Sequence, residues 1–236
     1  MKLPSLFKHN SLCDLRLSVM TIIIFAAGAS GGWAKDQLPF GAAKIIFELN
    51  STAHDLGIQV SLDGEPWRKI KVVDPKGRTM VEIQTKGRLK KFGLTELFAE
   101  SNEPNFADMS QEDILALFPE GEYKFFGKTV GMATLTHGLP DGPVINSAIG
   151  GVVDPNNAVV SWTAVITPAG INIVGYQVIV EGGGPFRTFD AILPAATQVT
   201  VPPEFFEPGT EYNFEVLAIE ESGNQIITEG VPFMTP

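Results

Sequence analysis

The chain has 236 residues, enough for two modest hydrophobic cores, and its 44% hydrophobic and 19% charged residues describe a folded rather than a disordered protein. A formal net charge of -10 argues against nucleic acid as a partner, because phosphate recognition needs clustered Lys and Arg. The 24 glycines and 17 prolines favour many turns between short strands.

At the amino terminus, Lys2, Lys8 and Arg16 precede an apolar run from Leu17 to Ala29 that ends in small residues. A basic region, an apolar core and a small-residue cleavage site are the layout of a secretory signal. Cleavage after Ala34 is preferred, because Lys35, Asp36 and Gln37 then open the mature chain; Ala29 is the alternative. The run falls short of the roughly 20 residues of a spanning helix, so no membrane contact is expected once the signal is removed. Cys13, the only cysteine, precedes the apolar core and leaves with the signal. A mature chain without disulfides relies on packing and fits a bacterial periplasmic or secreted protein.

Charge divides the remainder. From Phe40 to Pro140 there are 12 Lys/Arg and 14 Asp/Glu; from Asp141 onward Arg187 stands alone against 11 acids. The break falls in the Pro/Gly-rich stretch from Leu139 to Pro143, which reads as a short, stiff linker.

In the first half, strands are expected over 44–50, 57–63, 67–73, 79–84, 122–126 and 133–136. Asp74-Pro75-Lys76-Gly77 is a tight turn, with Pro presetting one dihedral and Gly accepting positive φ. Between the strands, Ser110 can cap a short helix with Asp113 three residues on. The pattern predicts a β-sandwich over 40–138 with a helical insertion at about 90–118. The insertion contains Gly93 to Pro104, where Leu94, Leu97 and Phe98 would face inward and Glu96, Glu100 and Glu103 outward. The basic run Lys86, Arg88, Lys90 and Lys91 precedes it, either pairing with those glutamates or forming a patch for an anionic glycan.

Ser51, His54 and Asp55 are neighbours in one loop, an arrangement that rarely makes a triad, and there is no Gly-x-Ser-x-Gly elbow. His137 is expected to cap or to hydrogen-bond between domains. Two distant histidines do not suggest zinc. Asn50, Asp55, Asp63 and Glu65 could offer oxygen ligands to calcium, although Asp63-Gly64 reads more simply as a hairpin turn. Glu96 and Glu100, four apart on a helix, could supply a glycosidase pair, but such carboxylates usually come from separate elements lining a cleft. No catalytic residue, metal site or cofactor is expected. Leu94, Glu96, Glu100, Glu103, Lys90 and Lys91 form the candidate partner surface.

The second half reads as seven short strands: near the linker, then 157–163, 173–181, 186–189, 198–201, 211–220 and 225–228 leading to Val231 and Phe233, with turn signals between. Pro143, Trp162 in the second strand, Tyr176 in the third and the run from Glu207 to Ala218 carry a resemblance to fibronectin type III domains over residues 141–236. The resemblance implies an immunoglobulin-like sandwich with a tyrosine corner, Tyr212 burying its ring while its hydroxyl bonds the preceding corner. Trp162, Tyr176 and Tyr212 are thus structural residues. It further implies scaffolding or binding rather than chemistry. The integrin-type Arg-Gly-Asp loop is absent, its place taken by Glu221-Ser222-Gly223-Asn224.

The expectation is an all-β protein of two sandwiches in tandem. It would be an exported, non-enzymatic binding or structural module, engaging a protein or glycan of the cell envelope or exterior. The alternative is a carbohydrate-active hydrolase with the first domain catalytic.

Overall fold

A computed structural model describes residues 40–146, 150–184, 187–194 and 196–236. The expected export segment, with Cys13 and both cleavage positions, lies outside the described residues, as do Pro185 and Phe186. No helix among the described residues is long and apolar enough to cross a membrane.

The first half contains β1 (Ala42–Asn50), β2 (Asp55–Trp67), β3 (Lys69–Val73), β4 (Thr79–Gln84), helix α1 (Leu89–Phe92), β5 (Leu94–Glu100), helix α2 (Gln111–Leu117), β6 (Gly121–Phe126) and β7 (Val130–Leu135). The second half contains β8 (Val144–Ile145), β9 (Gly151–Val152), β10 (Val159–Thr163), β11 (Ile173–Gly182), β12 (Thr188–Leu193), β13 (Gln198–Thr200), β14 (Glu211–Glu220), β15 (Gln225–Glu229) and β16 (Phe233–Met234). The protein is mostly strand, arranged in sandwich-like sheets.

The two halves repeat one strand order. In the first, β1-β2-β5 form one layer and β4-β3-β6-β7 the other. In the second, β8-β10-β13 form one layer and β12-β11-β14-β15 the other. The repetition extends to side chains. Trp67 ends β2 and Trp162 lies in β10, the second strand of each order when the short β9 is set aside; both rings are buried. Tyr123 in β6 and Tyr212 in β14 occupy the sixth strand of each order and are fully buried. Tyr123 donates its hydroxyl to Pro119 O (3.1 Å), and Tyr212 accepts from Glu207 N–H (2.8 Å). Tyr176 packs its ring against Trp162, centroids 5.3 Å apart, and accepts from Val165 N–H.

The halves meet edge to edge. β1 pairs in parallel with β15, so one sheet runs β12-β11-β14-β15-β1-β2-β5 through both. Leu49 and Ile226 are register partners and belong to the inward side, so the second layers of both halves lie on the same side of this sheet. The seam is fastened by side chains as well. Asn50 donates to Glu229, Ser51 Oγ donates to Ile227 O, and Thr52 Oγ1 accepts from Glu229 N–H. Asn224, in the β14–β15 turn, accepts from Phe47 N–H and donates to Thr136 O and Gly138 O. The stretch expected as a linker lies against this seam: Leu139 is buried, and a Cβ on Gly142 would stand 2.7 Å from Ser51 Oγ.

Two local expectations are corrected. Residues 94–100 form a strand, not a helix, pairing with β2 from Gln59↔Glu100 to Trp67↔Leu94. β2 otherwise leaves a row of backbone donors and acceptors unpaired on that side, and tertiary pairing satisfies them. Glu96 and Glu100 share a face with period two as well as with helical spacing, so their separation could not distinguish the two. Phe98 falls on that outward face and is 40% exposed, whereas Leu94 and Leu97 are half-buried as expected. The helices of the insertion are confined to α1 and α2; Ser110 caps α2, accepting from Asp113 N–H. Asp63-Gly64 is not a hairpin turn: β2 runs through it with a register shift opposite β5. The turn at Asp74–Gly77 forms as read, with Gly77 at φ 81 and Asp74 Oδ1 accepting from Lys76 and Arg78 N–H.

Candidate binding site

The chain passes from one sheet to the other at Arg68. Trp67, at the end of β2, is buried, and β3 then starts in the opposite layer. Thr85, following β4, fixes this corner by donating its N–H and hydroxyl to Arg68 O (2.8 and 3.2 Å). α1 ends at Gly93, which adopts φ 81 and packs so closely that a Cβ would lie 2.8 Å from Trp67 O. That contact brings the end of α1 against the β2–β3 corner.

The result is a groove of about 720 Å³, within the range of ligand sites. Pro66, Trp67 and Arg68 of the corner, Lys69 and Lys71 of β3, Phe92 and Gly93 at the end of α1, and Phe126, Gly127 and Lys128 at the β6–β7 turn line it. Phe92 is 79% exposed and Phe126 41%. Arg68, Lys69 and Lys128 are exposed and Lys71 half-buried. Lys69 pairs with Glu82 at 3.0 Å. The surrounding sequence is strongly basic: residues 66–93 carry nine Lys/Arg and two acids in a chain of net charge -10. Trp67 Nε1 is buried without a hydrogen-bond partner, but so is Trp162 Nε1 in the other half, which marks a property of the repeated architecture.

The residues expected to form one partner surface divide between two places. Lys90 and Lys91 are exposed on α1, directly before the groove residue Phe92. Glu96 and Glu100 project from the outward face of β5, and Glu103 follows it, crossing Gly57 so closely that a Cβ there would stand 2.7 Å from Glu103 Cγ. No ion pair among the described residues joins Lys86, Arg88, Lys90 or Lys91 to Glu96, Glu100 or Glu103. The expected pairing of the basic run with these glutamates is therefore not formed among the described residues.

The glutamates form a second cluster, with Glu48 of β1 as a member that sequence reading missed. Carboxylate oxygens of Glu48, Glu100 and Glu103 lie within 4.8 Å of one another. Burial pushes Glu48 up to about 7; Glu100 and Glu215 add to the rise, while hydrogen bonds from Gln225 and Gln59 oppose it. Strand alternation carried the signal: a glutamate between Phe47 and Leu49 must point to the face opposite the core, where Gln225 meets it across the seam. These oxygens are of the type that hard cations take.

The remaining candidates are placed elsewhere. Asn50 and Asp55 close the β1–β2 turn, whereas Asp63 lies eight residues along β2, roughly 26 Å away at the usual strand rise, so the four suggested calcium ligands do not converge. Ser51 is committed to Ile227 O and Thr228 Oγ1, and His54 holds positive φ (58°) in the turn. His137 remains within the first half: Nε2 bonds Phe118 O (2.7 Å), and its backbone N–H donates to Glu120 (2.6 Å).

No protein-family profile and no curated protein matches the chain. Solved structures do. The FN1–FN3 domains of chicken CNTN1 are 12% identical, with 84% of this chain and 67% of that one covered and a TM-score of 0.31. The fibronectin(III)-like modules of Clostridium thermocellum CbhA are 10% identical, covering 81% and 93% with a TM-score of 0.32. Domains A168–A170 of titin are 18% identical, covering 81% and 64% with a TM-score of 0.28. No binding property passes from those proteins to this chain.

Proposed function

We propose that the chain is an exported, non-enzymatic binding protein of two β-sandwich modules, residues 40–138 and 142–236, the second of fibronectin type III kind. The first module holds an anionic partner of the cell envelope or exterior in the groove beside Trp67. The observation that carries this reading is the composition of the groove. Its side chains are the cations Arg68, Lys69, Lys71 and Lys128 beside the apolar Pro66, Trp67, Phe92 and Phe126, with no carboxylate, imidazole, hydroxyl or thiol among them. The test is capture of anionic envelope or extracellular polymers by the purified chain and by a Lys71→Glu/Lys128→Glu double variant. Loss of capture in the variant supports the reading; equal capture by both removes the groove from it.

A hydrolase acting on carbohydrate is favoured by one observation, the carboxyl of Glu48, pushed up to about 7 by burial, close to that of Glu100, since such hydrolysis uses two carboxyl groups. Against it, the pair lies on one face of a single sheet, on β1 and β5 either side of β2, and Glu48 is only 9% exposed. Turnover on a polysaccharide panel that disappears in Glu48→Gln would establish this rival.

A further inference from the structure

We infer that the groove beside Trp67 is a subsite for a linear acidic polysaccharide, whose carboxylate or sulfate groups meet the lysines while sugar-ring faces lie on Phe92 and Phe126. The inference rests on the binding role proposed above for that groove and names its ligand class.

Charge supplies the first argument. Lys71 and Lys128 line the groove with no ion-pair partner among the described residues, and the exposed Lys86, Arg88, Lys90 and Lys91 precede Phe92 in the chain. In a chain of net charge -10, a polyanion is attracted here and repelled elsewhere, which sets where it lands. Lysines bind oxyanions as point charges without demanding one fixed geometry, which suits repeated charges along a polymer.

Backbone pairing supplies the second. From Lys71 to Val73, β3 is paired on both edges, by β4 and β6, so a peptide cannot join the sheet there as an added strand, and Lys69 is paired with Gln84 of β4. Arg68 O, Gly93 N and Gly127 N are also committed, to Thr85, Leu89 O and Thr129 O. Recognition here therefore passes through side chains, which removes the main-chain ladder that gives extended peptides their affinity.

The exposed rings supply the third. Phe92 leaves 79% of its surface uncovered next to this concentration of cations. A flat apolar ring beside ammonium groups matches a ligand that alternates apolar ring faces with anions.

Affinity electrophoresis and calorimetry with polygalacturonate, dextran sulfate, uncharged dextran and poly-L-glutamate test this, on the full chain. The expected result is salt-sensitive binding of polygalacturonate, dextran sulfate or both, and none of dextran. Lys71→Glu/Lys128→Glu should weaken it about tenfold or more, and Phe92→Ala about fivefold, with thermal melts unchanged. Binding of only one polyanion assigns the carboxylate or the sulfate. Equal binding of dextran overturns the charge argument, and absence of binding to both acidic polysaccharides overturns the inference. Groove-dependent binding of poly-L-glutamate with neither polysaccharide bound overturns the ligand class but leaves the groove as a binding site. Polysaccharide binding unaltered by all three substitutions overturns the groove itself.

Discussion

The carboxamide oxygen of Asn224 accepts the backbone N–H of Phe47 at 2.8 Å, joining residues 177 positions apart. The amide nitrogen of the same side chain donates to Gly138 O at 2.8 Å and Thr136 O at 3.0 Å, and the residue is 1% exposed. One side chain thus serves three backbone groups of the other half. Asn224→Ala strips all three of their partner in a place water reaches poorly, and should cost about 2–4 kcal/mol. Urea unfolding measures it; a loss under about 0.5 kcal/mol would show that the halves do not depend on this contact.

The two buried tyrosines allow a paired comparison. Tyr212→Phe leaves Glu207 N–H without its acceptor, and Tyr123→Phe leaves Pro119 O without its donor. Each should cost about 1–2 kcal/mol. Burial pushes the Tyr123 hydroxyl up to about 12, so it remains a donor well into the alkaline range. Chemical denaturation of both variants checks the repeat, and a destabilisation confined to Tyr212→Phe would show that the first half does not use its tyrosine in the same way.

Glu48 makes stability depend on pH. Its folded value near 7 exceeds the ordinary 4.5, so the folded chain keeps a proton that the unfolded chain releases between those limits. The contribution is complete below about 4.5 and lost as pH rises through about 7, a fall on the order of 3 kcal/mol. Lys44 on β1, Glu100 on β5, Glu103 after it, and Glu215 and Glu229 on the neighbouring strands share this outward face. Glu48→Gln should flatten the decline. Parallel pH profiles for the wild type and variant would assign the dependence elsewhere.

Gly93 combines a positive φ with contact against Trp67 O, so Gly93→Ala meets both backbone strain and a clash. A destabilisation of about 2–3 kcal/mol is expected, accompanied by a changed Trp fluorescence spectrum because the corner at Trp67 must shift. Gly77→Ala, with φ 81 but open space around it, should cost only about 1 kcal/mol. Equal effects at the two sites would remove the steric part of the argument.

Much of the second half was legible because its signals are local: the aromatic positions 162, 176 and 212 announce strands by alternation and turn spacing. The first half carries the same strand order, yet its markers, Trp67 and Tyr123, lie in a less regular frame interrupted by α1 and α2. Residues 94–100 were misread because glutamates four apart fit both a helix and a strand, and the deciding factor was the open side of β2, distant in sequence. The groove was visible only in part: Lys90 and Lys91 stood out as a run, while Arg68, Lys71, Phe126 and Lys128 join them through the sheet crossing at Arg68. Glu48 and Asn224 escaped notice because each acquires its environment from the β1–β15 seam, a parallel pairing of segments about 180 residues apart that no local pattern announces.

That seam also has a mechanical consequence. β1 and β15 run in the same direction, with Glu48, Leu49 and Asn50 opposite Gln225, Ile226 and Ile227. Tension entering at the start of β1 and leaving at the end of β15 drags the two strands past one another in opposite senses. The bonds between them are then loaded together, in shear, instead of being peeled apart singly. Along that direction the two halves would resist separation as one unit.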